Sequence, residues 1–124
     1  MGHPTIYPTG VTVYNPEKCW NGFTIFQALE VGAVLMNMNG RENKVWKGVH
    51  GFPNKIFPGG YLMTSRGSRD GRYGVQDGLD LVQIDWDGNV VWKFDRNEYI
   101  EDPGIPGRWM ARSHHDYQRE GSTT

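Results

Sequence analysis

A repeated β-hairpin closed by tryptophan constrains this chain more than any other feature. Residues 33–40 followed by Lys44-Val45-Trp46-Lys47 lay over residues 81–88 followed by Val90-Val91-Trp92-Lys93, so that Trp46 and Trp92 stand 46 positions apart. A period of about 40 to 50 residues, filled with short alternating strands and turn residues, is the pattern of β-propeller blades rather than of helical repeats. Propellers close with about four to eight blades, and at this period 124 residues supply between two and three. The expected fold is therefore all-β, with about two four-stranded antiparallel sheets and a ring completed only by self-association. A fragment of a larger protein and an open structure with protected edges are the alternatives.

The rest of the composition suits many turns and aromatic-rich strands, with 17 Gly, seven Pro and 13% aromatic residues. Strands are expected at 24–29, 33–38, 44–47, 55–57, 61–65, 79–85, 90–94 and 110–117. Turns are marked by Asn39-Gly40, Pro58-Gly59-Gly60 and Asp87-Gly88-Asn89 between apolar runs. The stretches 65–78 and 96–108 read as long irregular loops. The result is one propeller-derived domain: an arm over 1–22, a partial blade over 23–49, a full blade over 50–94 and the start of another over 109–121. Within the full blade, 50–57 is the innermost strand, then 61–65, 79–85 and the outer 90–94.

Several function classes lose their support at this level. A formal charge of −1 gives no reason to expect nucleic acid, and no run approaches the roughly 18 apolar residues that span a membrane. A single cysteine, Cys19, allows no intrachain disulfide. No basic start and apolar core follow Met1, so no export signal is read and the compartment stays open.

Three of the four histidines fall at one repeated position. His50 and the run His114-His115-Asp116 each follow a Trp-closed hairpin, where an innermost strand begins and a side chain can face a central channel. Because side chains alternate along a strand, only one of His114 and His115 is expected to point there. That alternation disfavours a shared metal, no third histidine or cysteine stands at a familiar spacing, and no metal site is assigned. His50 also suits a structural role, capping a loop before Gly51-Phe52-Pro53. Residues 85–89 alternate carboxylates like a calcium loop, but glycine comes fourth and Arg96 stands where a bidentate Glu is required, so they read as a hairpin turn. Arg66, Arg69 and Arg72 lie among glycines in a loop that either grips an oxyanion or is simply solvated, with Asp70 and Asp77 as countercharges. The five tryptophans suit packing between blades, with one or two left to stack on an aromatic ligand.

The run Tyr14-Asn15-Pro16-Glu17-Lys18-Cys19-Trp20-Asn21-Gly22 within residues 10–26 resembles the opening of the bacterial arylsulfotransferases. So do the hairpin at 34–40 with Val45-Trp46, the turn Phe57-Pro58-Gly59-Gly60-Tyr61-Leu62, and His114-His115-Asp116. The resemblance covers roughly residues 10–121 and implies a truncated N-terminal part of a six-bladed propeller. The family's activity is transfer of a sulfuryl group from a phenol ester to another phenol through a transiently sulfated channel histidine, with no cofactor. On this sequence the resemblance puts His114, His115 and His50 in the catalytic positions and Arg112 and Arg66 at the sulfate, roles suited to a nucleophilic imidazole and a guanidinium fork. Trp109 is the candidate surface for an aryl ring. The implied partners are copies of the chain, as a trimer or dimer, and an aryl sulfate or phenol. A non-catalytic oligomeric binding module for an anionic or aromatic ligand, and an inactive truncated homologue, are the other two readings.

Overall fold

The computed structural model of the chain describes residues 11–68 and 77–119. They form nine strands in three antiparallel sheets, none of them closed, and no helix. The first sheet is a meander of β1 (Phe23–Ala28), β2 (Gly32–Asn37) and β3 (Glu42–Lys47). The second, in the order β4-β5-β6-β7, comprises β4 (Lys55–Phe57), β5 (Tyr61–Thr64), β6 (Val82–Ile84) and β7 (Val90–Lys93). The third is a hairpin of β8 (Glu98–Asp102) and β9 (Ile105–Met110). The first sheet thus has three strands rather than four, while the second has the four strands in the order the sequence implies.

The two repeated hairpins are built by the same turn. Asn37 Oδ1 accepts the amides of Asn39 and Arg41, each at 3.0 Å, and Asp85 Oδ1 accepts those of Asp87 and Asn89 at 3.0 and 2.8 Å. Gly40 and Gly88 take φ values of 76° and 91° at equivalent positions, a left-handed conformation that costs glycine nothing. Residues 85–89 are accordingly a hairpin turn. The Asn89 side chain and then the backbone amides hold the Asp85 carboxyl below the usual carboxylate range.

Alternation along the strands sends one set of side chains into the space between the first two sheets. Ala33, Leu35 and Trp46 from the first sheet meet Leu62, Val82 and Ile84 from the second, joined by Val49 and flanked by Ile25. Trp46 also donates its indole N–H to the Asp85 carbonyl at 3.1 Å and meets Trp86 edge to face, with ring centroids 5.3 Å apart. Burying each of these large side chains contributes about 1.5–3 kcal/mol.

The opposite face of the second sheet carries the cross-strand row Lys55–Met63–Gln83–Trp92. Residues 111–119 cover it. The strand expected at 110–117 does not form: β9 ends at Met110, and the chain then adopts left-handed φ values at Arg112 (50°) and His115 (64°), which break an extended path. The irregular loop expected at 96–108 is instead the β8–β9 hairpin, turned by Pro103-Gly104 with Gly104 at φ 81°. Pro followed by Gly pre-sets such a turn, and Pro106 lies on a two-stranded sheet where a missing N–H is tolerated.

Leu62 is fully buried at the centre of the inter-sheet core. Leu62→Ala is expected to cost about 2–5 kcal/mol in denaturant unfolding, against less than about 0.5 kcal/mol for a substitution at exposed Val13.

Candidate functional site

The site assembles where residues 111–113 join the second sheet. Ala111 donates its amide to the Leu79 carbonyl at 2.9 Å, and Gly78 donates to the Ser113 carbonyl at 2.7 Å, forming an antiparallel bridge. The next pair outward in that register is Asp77 and His114. A side chain at Gly78 would put its Cβ 2.5 Å from Ser113 Oγ, so the glycine is what lets the two segments approach.

His114 Nδ1 is hydrogen-bonded to Asp77 Oδ1. The Asp77 side chain is 8% exposed and the His114 side chain 43%. A carboxylate only accepts hydrogen bonds, so Nδ1 carries the proton, and the lone pair of a neutral ring lies on Nε2. A buried acid fixing the tautomer of a partly exposed imidazole is the arrangement that prepares a base or nucleophile.

His115 does not lie on the opposite face of a strand from His114. It is the centre of a turn closed by the Asp116 amide on the His114 carbonyl at 2.8 Å, a γ-type turn whose left-handed residue is strained. The turn folds the two rings together, with centroids 4.0 Å apart and planes at 85°, and Phe52 stands 6.3 Å from the His115 ring.

Three side chains hold this segment on the sheet. Lys55 Nζ pairs with Asp116 at 2.8 Å and donates to the Tyr117 carbonyl at 2.5 Å. The Tyr117 hydroxyl donates to the carbonyls of Pro53 and Met63. Arg119 donates to Gln83 Oε1 at 2.5 Å and lies 4.2 Å over the Trp92 ring. Lys55, followed by the Tyr117 amide, holds the Asp116 carboxyl below the usual carboxylate range. Burial, reinforced by the Asp116 charge, pushes the Tyr117 phenol above its ordinary value.

The other sequence-derived candidates occupy separate places. His50 donates its amide to the Ser65 carbonyl at 2.6 Å in a loop fixed by Gln27, whose side chain donates to the Val49 carbonyl and accepts from Gly51 and Asn54. Arg66 is bound through its amide and Nε, both at 2.8 Å, to the Asp80 carboxylate, and it lines a cleft with Lys44 and Lys47. Arg112 lines a different cleft at the base of the β8–β9 hairpin. Trp109 pairs with Tyr99 on the outer face of that hairpin at 5.7 Å and is 67% exposed. Arg69 and Arg72 lie outside the described residues. Sequence reasoning missed Asp77 as the partner of His114 and Lys55 as the anchor of Asp116; the one available signal was Gly78, a residue suited to close backbone approach directly after an acid.

The raised Tyr117 pKa has a defined sign. A folded-state value above the unfolded one gives stability that is complete below about pH 10 and lost as pH rises further. Between pH 10 and 12 the wild type is expected to lose stability more steeply than Tyr117→Phe by about 1.4 kcal/mol per pH unit, measured by urea unfolding. Comparison of the chain with protein-family models, with curated proteins and with solved structures finds no match in any of the three.

Proposed function

We propose that this is a propeller-type repeat protein in which His114 carries a sulfuryl group from an aryl sulfate ester to a phenol. The observation that carries the reading is the Asp77–His114 pair, which leaves Nε2 as an oriented nucleophile on a half-exposed ring. That lone pair attacks sulfur, and the bond from sulfur to the aryl oxygen breaks with its electrons leaving on the phenolate. The acceptor phenol oxygen then attacks the same sulfur, and the N–S electron pair returns to Nε2. One proton passes from acceptor to leaving group, and His115, edge-on to His114, is the group placed to carry it.

The packing supports a serial arrangement of blades. Each repeated hairpin puts its tryptophan on the side that meets the next part of the chain: Trp46 against the second sheet, Trp92 against residues 111–119. By the same equivalence Val34 and Met36 correspond to Val82 and Ile84, whose face is covered by the first sheet. The matching face of the first sheet carries Phe26, Val34 and Val45 in one row, in which Val34 is already buried and Phe26 stays 38% exposed. Copies of the chain are the proposed cover, three copies giving six blades. The structure of the β8–β9 hairpin favours a second reading, a non-catalytic binding module, because Tyr99 and Trp109 offer an exposed aromatic pair.

The test is release of 4-nitrophenolate from 4-nitrophenyl sulfate in the presence of a phenol, with the sulfated acceptor identified by mass. His114→Ala is expected to lower turnover by about 100-fold or more, and Asp77→Asn by a similar order through loss of the fixed tautomer. Saturable binding of the ester with no turnover by the wild type would favour the binding module. Light scattering is expected to show a defined oligomer that falls to the monomer mass in Phe26→Glu; a wild-type monomer would remove the proposed assembly.

A further inference from the structure

Among the described residues, the outer edge of β1 is the least protected strand edge. The three sheets end in β1 and β3, in β4 and β7, and in β8 and β9. β3 carries Glu42, Lys44 and Lys47 and a break in its register, and β7 ends in Lys93 with a break of the same kind. β4 has only three residues and begins with Lys55. Glu98, Glu101 and Asp102 stand on β8, and Pro106 and Arg108 on β9. Charge, proline, bulges and shortness are the devices that keep an edge from pairing with another chain. β1, the six residues Phe23-Thr24-Ile25-Phe26-Gln27-Ala28, has none of them, and its register with β2 is unbroken.

The groups that face outward can be named. Gly48 donates its amide to the Val31 carbonyl at 3.4 Å, flanking the Gly32–Lys47 pair. That bond makes Gly32 and Lys47 a non-hydrogen-bonded pair, so Ala33 bonds towards β3 and Val34 towards Phe26 on β1. By alternation Phe23, Ile25 and Gln27 hold their N–H and C=O groups away from β2, on a side where they pair with no strand of the described residues.

We infer that two copies of the chain join through this edge, β1 pairing antiparallel with the same strand of the second copy about a two-fold axis. The strand suits itself as a partner in two ways. It carries no charge, so pairing sets no like charges opposite one another. One register also matches all of its exposed apolar side chains, which are Phe23, Phe26 and, at its end, Leu29. With Phe26 opposite its own mate, Ile25 lies opposite Gln27 of the partner subunit, and the two exchange both backbone bonds through their outward groups. Phe23 then falls opposite Leu29 of the partner subunit. The Phe26 pair is a non-hydrogen-bonded one, the kind whose side chains stand closest. The inference goes beyond sulfuryl transfer and does not depend on it: the proposed blade ring joins faces of sheets, and this contact joins edges.

The experiment is light scattering of the whole chain, joined to disulfide capture that reads the register. Two-fold pairing gives an even number of chains, so the expected mass is that of two copies from the edge alone, or of six if the ring forms as well. Ile25→Pro removes an outward N–H and no bond of its own sheet, and is expected to halve that mass. A wild-type mass of one or three copies would overturn the inference, and three would leave the ring standing without it. In a Cys19→Ser background, Phe26→Cys is expected to give a covalent dimer on mild oxidation. Phe23→Cys is expected to stay single, because its mate lies six positions along the paired strand, about 20 Å away, well beyond the reach of a disulfide. No capture at position 26, or equal capture at position 23, would also overturn the inference, and neither result depends on whether Ile25→Pro folds.

Discussion

The site depends on how residues 111–119 are pinned across the second sheet. That sheet has two faces to bury: one meets the first sheet through Leu62, Val82 and Ile84, and the other carries Lys55, Met63, Gln83 and Trp92. Met63 is fully buried there although no other sheet of the described residues covers it. The cover is an irregular segment whose hold is polar at its ends and apolar in its middle, with Lys55 on Asp116, the Tyr117 ring over the sheet and Arg119 on Gln83 and Trp92. A segment without a ladder of its own gains little from backbone bonding, so its position is set by these side chains. His114 is placed by that constraint, because pairing of Gly78 with Ser113 and docking of Tyr117 leave it only the place opposite Asp77.

A second polar network does the corresponding work near His50. Gln27 on β1 reaches across to the loop before β4 and is linked through Asn54 to Thr64 on β5, the Thr64–Asn54 bond measuring 2.7 Å. Asn54 and Thr64 are both buried, so these bonds are formed where leaving them unmade is expensive. Gly51 fits into this network because a Cβ there would lie 2.0 Å from Asn54 Oδ1. The two sheets are thus joined twice, by the apolar core between their faces and by this polar clasp at one end.

Much of the architecture was legible because it is local. The alternation of 33–38 and 79–85, the two Asx-closed turns and the tryptophan spacing fix two hairpins and the meander order of the second sheet without any long-range information. The β8–β9 hairpin was missed although Pro103-Gly104 marks its turn, because Glu98, Glu101 and Asp102 mask the alternation of Tyr99 and Ile100 with charge. The strand expected at 110–117 fails for a different reason: strand alternation puts His114 and His115 on opposite faces, whereas left-handed residues at Arg112 and His115 fold the chain so that the rings meet. Such residues carry no sequence signal when they are not glycine. The Asp77–His114 pair spans 37 positions and rests on a single bridge, a contact that local pattern does not encode.

Asp77 fixes His114 in the form that leaves Nε2 unprotonated. Nitrogen-15 correlation spectra of histidine-labelled protein, recorded above the pH at which imidazole is charged and assigned with a His114→Gln variant, read the tautomer directly. A protonated Nδ1 and a bare Nε2 are expected for His114, with that preference lost in Asp77→Ala. A ring protonated on Nε2, or an even mixture of the two forms as in free imidazole, would contradict it.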